Sequence, residues 1–209
     1  MDRRHCIAAL ALAGTIVAVA PARAEPVAAD AFVRQLSSDV LDAVKADKAI
    51  QAGDLGRIRL LVDDKVMPHV NFPRMVGSAV GPQWRGATPE QKTRMQEEFK
   101  ALLVNTYSGA LTQVKDQTVQ VKPFRGSADA SDVIVRSEVR SRGEPVQLDY
   151  RLEKAGESWK IYDVNIGGFW LVEAYRGQFA KDLANGGMDA LISALAAKNK
   201  GMAASAPKS

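Results

Sequence analysis

The sequence predicts an α+β fold in which N-terminal helices precede a four-stranded antiparallel meander and C-terminal helices return over the sheet. Apolar residues recur every three or four positions up to Leu111, which is typical of amphipathic helices. From Thr118 to Ile166 they recur at every second position, as in half-buried strands. After Gly167 the helical spacing returns. These changes of period predict the order of the three parts.

Short polar motifs mark where the N-terminal helices begin. Asp30 is expected to cap the first helix and Asp54 the second, which should end at Pro68. Thr88 starts another helix with an N-cap, a proline at the first helical position and, at Gln91, a capping-box partner. We therefore expect at least three helices ahead of the sheet.

Four segments with alternating apolar and polar residues are predicted strands: 118–124, 132–140, 145–154 and 158–166. Gly143 and Gly156 mark tight connections between the last three, which indicates an antiparallel meander with one apolar and one charged face. In the last segment Ile161 and Tyr162 should point to opposite faces. Beyond the sheet, the Asn-Gly-Gly run at 185–187 is expected to separate two helices.

The N-terminus predicts export. Arg3 and Arg4 precede an uncharged run at 6–20, and small residues at 22 and 24 fit signal-peptidase cleavage after Ala24. The apolar run is too short to span a bilayer, which takes about 20 residues. We thus predict a signal peptide at 1–24, a periplasmic domain at 25–198 and a disordered tail at 199–209. The arginine pair leaves open whether export uses the Sec or the Tat route.

Charge and residue counts exclude several classes of function. Removing residues 1–24 leaves 25 basic and 23 acidic side chains, no cysteine and a single histidine, His69. A nearly neutral chain without a cluster of basic and aromatic residues does not favour nucleic-acid binding. Without cysteine, neither a Cys-His pair nor a zinc–thiolate cluster can form. We predict no catalytic residues, no metal and no cofactor.

Five stretches, found in order between about residues 30 and 200, resemble the MlaC family of periplasmic phospholipid-binding proteins, also called toluene-tolerance auxiliary proteins. They are VDDKVMPHV at 62–70, ATPEQ at 87–91 leading to Phe99, the stretch 103–111, WKIYDV at 159–164 and YRGQF at 175–179. The resemblance implies a twisted antiparallel sheet and helices around an elongated apolar cavity, related to NTF2-like and cystatin-like architectures.

The resemblance also implies a function. Proteins of this kind are soluble, monomeric shuttles that carry phospholipid between an outer-membrane lipoprotein–porin complex and an inner-membrane ABC transporter with an MCE-domain component. They thereby maintain outer-membrane lipid asymmetry. The chain departs from the family at Gly167-Gly168-Phe169-Trp170, where relatives have smaller residues. Two rings near the cavity wall are expected to affect lipid number or head-group preference.

Pattern and resemblance together suggest which side chains line the cavity. The predicted lipid-binding residues are Met75, Leu103, Tyr107, Val135, Val139, Leu148, Tyr150, Tyr162, Val164, Ile166 and Phe169. Each of them is equally compatible with an ordinary packed core. On the charged face, the arginines at 136, 140, 142 and 151 could meet lipid phosphates or an acidic partner, or could simply be solvated.

Two other functions stay open at this point. An NTF2-like isomerase or hydrolase acting on a small apolar substrate would need a carboxylate with a raised pKa deep in the pocket, and Asp163 is the candidate. We favour a structural ion pair for Asp163, and a cap or surface role over general-base catalysis for His69. A periplasmic chaperone for lipoproteins or apolar peptides would use the same cavity for another cargo.

Overall fold

The computed structural model describes residues 27–127 and 129–205. The predicted signal peptide, 1–24, lies outside these ranges. No helix within them is long and apolar enough to cross a membrane.

The first three helices are α1 (Ala29–Ala46), α2 (Lys48–Gln51) and α3 (Leu55–Leu61). Asp54 caps α3 as predicted, accepting a hydrogen bond from the Arg57 backbone N–H at 3.0 Å. The prediction that Asp30 caps α1 is wrong, because the helix begins at Ala29 and Asp30 lies within its first turn. There its carboxylate faces Arg34 one turn later, where a negative charge also complements the helix dipole.

The chain stays helical beyond α3. A single π turn, Val62–Val66, leads into a 3₁₀ turn, Met67–His69, so Pro68 lies within helical structure and does not end it. Proline fits near the start of the new turn because its missing N–H has no partner there in any case. The chain leaves the helical path at Val70, which bridges to the sheet.

Three further helices precede the sheet: α4 (Phe72–Val80), α5 (Gln83–Gly86) and α6 (Pro89–Thr112). The predicted capping box of α6 is confirmed. The Gln91 N–H donates to Thr88 Oγ1 at 3.2 Å, and the Thr88 N–H donates to Gln91 Oε1 at 3.1 Å. Such a cap typically stabilises a helix by about 1 kcal/mol.

The sheet contains six strands: β1 (Thr118–Val121), β2 (Asp132–Val135), β3 (Ser137–Arg140), β4 (Val146–Ala155), β5 (Ser158–Ile166) and β6 (Phe169–Trp170). Their order is β1-β3-β4-β5-β6, with β2 also paired to β4, and all pairings are antiparallel. The predicted antiparallel α+β organisation is therefore confirmed, whereas the number of four strands is wrong.

Two local features account for the extra strands. The predicted strand 132–140 is interrupted at Arg136, where the next backbone N–H, of Ser137, donates to the Asp149 carboxylate at 3.0 Å. After β5, Gly167 and Gly168 both have positive φ (60° and 94°) and turn the chain back, so that β6 pairs with the end of β5. A positive φ favours glycine at both positions.

A bulge divides β5. Arg151 of β4 is paired with Asp163, but the next residue, Leu152, is paired with Ile161, so Tyr162 has no opposite residue. Before the bulge Trp159 and Ile161 face the apolar side of the sheet, and after it Val164 and Ile166 do. The extra residue explains the irregular pattern of this segment.

The last helix, α7 (Leu171–Ser205), is broken at Gly186 and Gly187, as the sequence predicts. Gly187 adopts a φ of 66°, which a residue with a side chain rarely does. The helix continues past the boundary at 198 that composition predicts. Asn199 is buried, and its side-chain amide donates to the Glu98 carbonyl oxygen at 2.9 Å.

Two large apolar cores result. The helical core lies between α4, α6 and α7, and its centre is the Phe99 ring, which contacts Tyr175 and Phe179 at centroid distances of 4.9 Å and 5.3 Å. The sheet core lies between α1 and the apolar face of the sheet. Val70 and Val164 pack against both cores, so the cores meet where they lie.

Candidate functional site

Six apolar or aromatic side chains that are only partly buried lie where the two cores meet. We call this set the seam: Leu103, Tyr107, Leu148, Tyr150, Val164 and Ile166. The four sheet members are two cross-strand pairs, Leu148 with Ile166 and Tyr150 with Val164, on one face of β4 and β5. The two helix members are one turn apart on α6 and pack against the helical core, as Val164 and Ile166 do. Sheet and helix thus contribute to one apolar region.

Partial burial distinguishes the seam from the cores on either side. Met75 and Val135, also predicted as lipid-binding residues, are 4% and 1% exposed and are packed inside the helical core and the sheet core. The seam side chains instead keep apolar surface that neither core covers. Apolar surface gathered in one place indicates a ligand or partner contact, whereas scattered apolar residues do not.

The apolar face extends beyond the seam to the end of the sheet. Val139 is partly buried and lies opposite Val146, which is 48% exposed. Phe169 of β6 lies opposite Ile166 and is 73% exposed. Directly opposed residues point to the same face, so Phe169 lies at the open end of the seam and not inside it.

Tyr162 does not lie with the other predicted residues. The bulge in β5 directs it to the charged face, where its hydroxyl donates to Asp132 and the Arg74 guanidinium stacks 3.5 Å from the ring centroid. Burial and the hydrogen bond to Asp132 raise the pKa of Tyr162 to about 12. Strict alternation would place Tyr162 on the same face as Val164 and Ile166, and the bulge explains why it lies on the other face.

The sequence analysis missed several side chains beside the seam. Met67, Val70 and Met202 are partly buried and pack against the helical core, and Leu36 does the same against the sheet core. Met67 and Val70 lie on either side of the proline in the 62–70 stretch. Neither the helical nor the strand spacing of apolar residues identifies them as members of a site. The resemblance of this stretch to the MlaC family was the one feature of the sequence that could have pointed to them.

The six seam side chains include no carboxylate, ammonium or guanidinium group. Burial raises the pKa of the Tyr150 hydroxyl, against the opposing effect of its hydrogen bonds with Ser37 and Ser137. Burial also raises the pKa of Tyr175, which contacts Tyr107 of the seam. The polar atoms here are neutral hydroxyls, which suits an apolar ligand better than a charged one.

Asp163 lies on the opposite, charged face and forms the structural pairing favoured above. One oxygen accepts from the Val164 and Val172 backbone N–H groups at 2.9 Å and 3.0 Å, and the other accepts from Arg151 Nη1 at 2.9 Å. Burial raises the pKa of this carboxyl, although these hydrogen bonds oppose the rise. The carboxylate thus caps the start of α7 and does not face the seam.

His69 and the nearby carboxylates of Asp63 and Asp64 each contact another side chain. The His69 ring packs edge-on against Phe32, with centroids 5.6 Å apart. Asp63 pairs with Lys100 at 2.8 Å, and Asp64 pairs with Lys65 at 3.1 Å. Within residues 27–127 and 129–205, no three His, Cys, Asp or Glu side chains converge as a metal site would require.

Comparison with protein families gives one match that covers most of the chain. A family model described as MlaC protein matches residues 34–197. Among solved structures, a phospholipid-binding protein from Ralstonia solanacearum, determined in complex with a phospholipid, is 45% identical with a TM-score of 0.81. The alignment covers 86% of this chain and 99% of that one.

Two curated proteins are also similar. The toluene tolerance protein ttg2D of Pseudomonas putida is 31% identical over 105 residues, which is 50% of this chain and 49% of that protein. The intermembrane phospholipid transport system binding protein MlaC of Haemophilus influenzae is 22% identical over 165 residues, 77% of each chain. This chain therefore spans about half the length of the first and about three quarters of the second.

Proposed function

This chain belongs to the MlaC family, and from that premise we propose that it is a periplasmic phospholipid carrier. It holds the acyl tails of its cargo against the seam and shuttles lipid between an outer-membrane lipoprotein–porin complex and an inner-membrane ABC transporter with an MCE-domain component. The mature protein begins after Ala24, acts as a monomer and needs no cofactor.

The observation that carries the proposal is the seam, since partly buried apolar side chains from α6, β4 and β5 converge between two packed cores. Their uncharged character matches hydrocarbon tails. The 45% identical Ralstonia solanacearum protein, which has this fold, is described in complex with a phospholipid. Both observations support a cargo with long apolar chains.

Physical chemistry explains why such a carrier needs little else. Moving a lipid through water exposes its tails at about 0.8 kcal/mol per methylene, and a diacyl lipid has on the order of 30 methylenes. A protein interior about as apolar as a bilayer removes most of this cost, so that loading and unloading are both near balance. No bond is made or broken, and no nucleophile is required.

The proposal of a carrier also accounts for Asp163 better than an enzyme does. The isomerase alternative requires a carboxylate that faces the substrate, whereas Asp163 turns away from the seam and its oxygens accept three hydrogen bonds. The similar curated proteins are named for binding, transport and toluene tolerance. We therefore propose a protein without catalytic residues.

Lipid extraction tests the proposal. The mature protein is purified without detergent, extracted with organic solvent and analysed by mass spectrometry, and we expect stoichiometric phospholipid. Leu148→Arg and Val164→Arg should abolish it, because a charge would then face the tails. Ile134→Arg is the matched control, since Ile134 pairs with Arg151 on the opposite face of the sheet and should leave lipid bound.

Two outcomes would contradict the proposal. A folded Leu148→Arg protein that keeps its lipid would remove Leu148 from the site. An unmodified protein that contains no lipid but converts a small apolar substrate would favour the isomerase instead.

A further inference from the structure

The outer face of the sheet, opposite the seam, contains two adjoining clefts that share Lys122, Ile134 and Arg136. The first has a volume of about 510 Å³ and is bordered by the segment 122–126. The second has a volume of about 460 Å³ and extends across the sheet to Trp170. Because the shared residues border both, the clefts form one continuous groove, which we call the outer groove.

One side of the outer groove is the edge of β2 that pairs with no other described strand. Lys154 N–H donates to the Ser131 carbonyl oxygen at 2.8 Å, so residues at odd positions along β2 point their backbone groups toward β4. Asp132 and Ile134 therefore point their N–H and C=O groups away from β4. On that side the Lys122 N–H reaches the Arg136 carbonyl at 2.9 Å, but β1 ends at Val121 and no described strand continues along β2.

The groove also carries positive charge that the described residues leave unpaired. Lys122 and Arg136 line both clefts and Arg125 lines the first, and all three are exposed. None of them makes an ion pair with another described residue. The acidic groups nearby are already engaged, since Glu138 binds Arg140 and the buried Asp149 accepts from Ser137.

Two further side chains give the groove a mixed character. Ile134 is 45% exposed on the free edge, an unusual position for a large aliphatic side chain unless something covers it. Asn165, 3% exposed, borders the second cleft. The side-chain oxygen Oδ1 of Asn165 accepts from the Gly168 N–H, while the side-chain nitrogen Nδ2 donates to no described group. The groove thus offers cations, an apolar spot and a free donor.

We infer that the outer groove binds an extended acidic segment of a partner protein, which adds as a strand to the free edge of β2. Strand addition supplies affinity through main-chain hydrogen bonds and specificity through alternate side chains. Here carboxylates of the segment pair with Lys122, Arg125 and Arg136, and an apolar side chain covers Ile134. The inference is independent of the proposed function, because the groove and the seam lie on opposite faces of the sheet.

A synthetic strand tests this. The probe is a fluorescein-labelled peptide of alternating valine and glutamate, titrated with the protein at low ionic strength and followed by fluorescence anisotropy. We expect it to bind more tightly than the valine–glutamine peptide. The double variant Lys122→Glu/Arg136→Glu should weaken binding about tenfold or more, because like charges then face each other.

The matched control is Lys181→Glu/Lys198→Glu, which makes the same charge change at two exposed positions of α7. It should change the affinity by less than about twofold, since neither residue borders the groove and salt screens distant charges. Equal loss in both double variants would show that only net charge matters, and would overturn the inference.

A second probe separates strand addition from plain charge attraction without altering the protein. The same peptide, N-methylated at alternate residues, keeps its carboxylates but cannot complete a ladder. We expect it to lose binding, and an unchanged affinity would overturn strand addition. Vesicles containing phosphatidylglycerol provide the remaining arm: if they bind through Lys122 and Arg136 while the peptide does not, the groove meets a membrane and the inference is wrong.

Discussion

The two faces of β4 show how one strand can serve two purposes. Leu148 and Tyr150 point to the seam and keep apolar surface uncovered, whereas Asp149 and Arg151 point to the outer face and are engaged by partners within the chain. The polar face is held by hydrogen bonds and ion pairs that the fold supplies itself. The apolar face lacks part of its packing. Stability should therefore depend mostly on the polar face of β4, and lipid binding on its apolar face.

The largest effect on stability is expected at Asp163, where an ion pair and a helix cap share one carboxylate. Asp163→Ala leaves Arg151 with only its 3.8 Å ion pair to Glu173 and leaves the Val164 and Val172 N–H groups without an acceptor. We therefore expect a loss of about 4 kcal/mol in the free energy of unfolding. Urea denaturation followed by circular dichroism measures it.

The control for this change is Asp64→Ala, which removes an exposed carboxylate paired only with its neighbour Lys65. It should change stability by no more than about 0.5 kcal/mol. Similar denaturation midpoints for both variants would show that the burial of the Asp163 pair does not matter.

Neighbouring leucines on α6 compare the core with the seam directly. Leu102 is 1% exposed, whereas Leu103 is a partly buried seam residue. We expect Leu102→Ala to cost about 3 kcal/mol because it leaves a cavity, and Leu103→Ala to cost about 1 kcal/mol because its site is already open. Leu103→Ala should reduce the amount of co-purified lipid more than Leu102→Ala does. If Leu103→Ala were the more destabilising change, the seam would be ordinary core.

Tyr162→Phe should separate Tyr162 from the lipid site. The change removes the hydrogen bond to Asp132 but keeps the ring beneath Arg74, so a loss of about 1 kcal/mol is expected. Because Tyr162 faces away from the seam, the phospholipid that co-purifies should stay unchanged in amount. Reduced lipid in a stable variant would return Tyr162 to the predicted site.

Alkaline pH should reveal the contribution of the same tyrosine to stability. The folded pKa of Tyr162 is raised to about 12, above the value of about 10 in an unfolded chain. The folded state therefore favours the protonated form, and the stability it contributes is complete below pH ~10 and is lost as pH rises toward 12. Urea midpoints measured across this window should fall more steeply for the natural protein than for Tyr162→Phe.

Features fixed by neighbouring residues could be predicted from the sequence. The Thr88 capping box, the Asp54 cap and the break at Gly186-Gly187 depend on side chains within a few positions, and all three are present. The alternation of β4 also assigned its residues to the two faces.

Features that depend on distant contacts could not be predicted. The interruption at Arg136 reflects a hydrogen bond from the Ser137 N–H to Asp149, twelve residues away in sequence. Strand β6 forms because its residues pair with the end of β5. Periodicity placed Met75 and Val135 on apolar faces but could not tell which apolar side chains a core would cover completely. The packing between separate elements decides how completely an apolar side chain is buried, and it also leaves Leu103 only partly buried.

The single unpaired residue in β5 has a consequence for how this strand can change over time. Because side chains alternate, the extra position exchanges inward and outward for everything that follows it. Regular alternation over the same residues would turn Asp163 and Asn165 toward the seam and Val164 and Ile166 toward the outer face, whereas deleting Tyr162 would remove the bulge and leave all four on their present faces. We therefore expect homologous chains to tolerate the loss of the residue at position 162 better than the loss of any other single residue between Trp159 and Ile166.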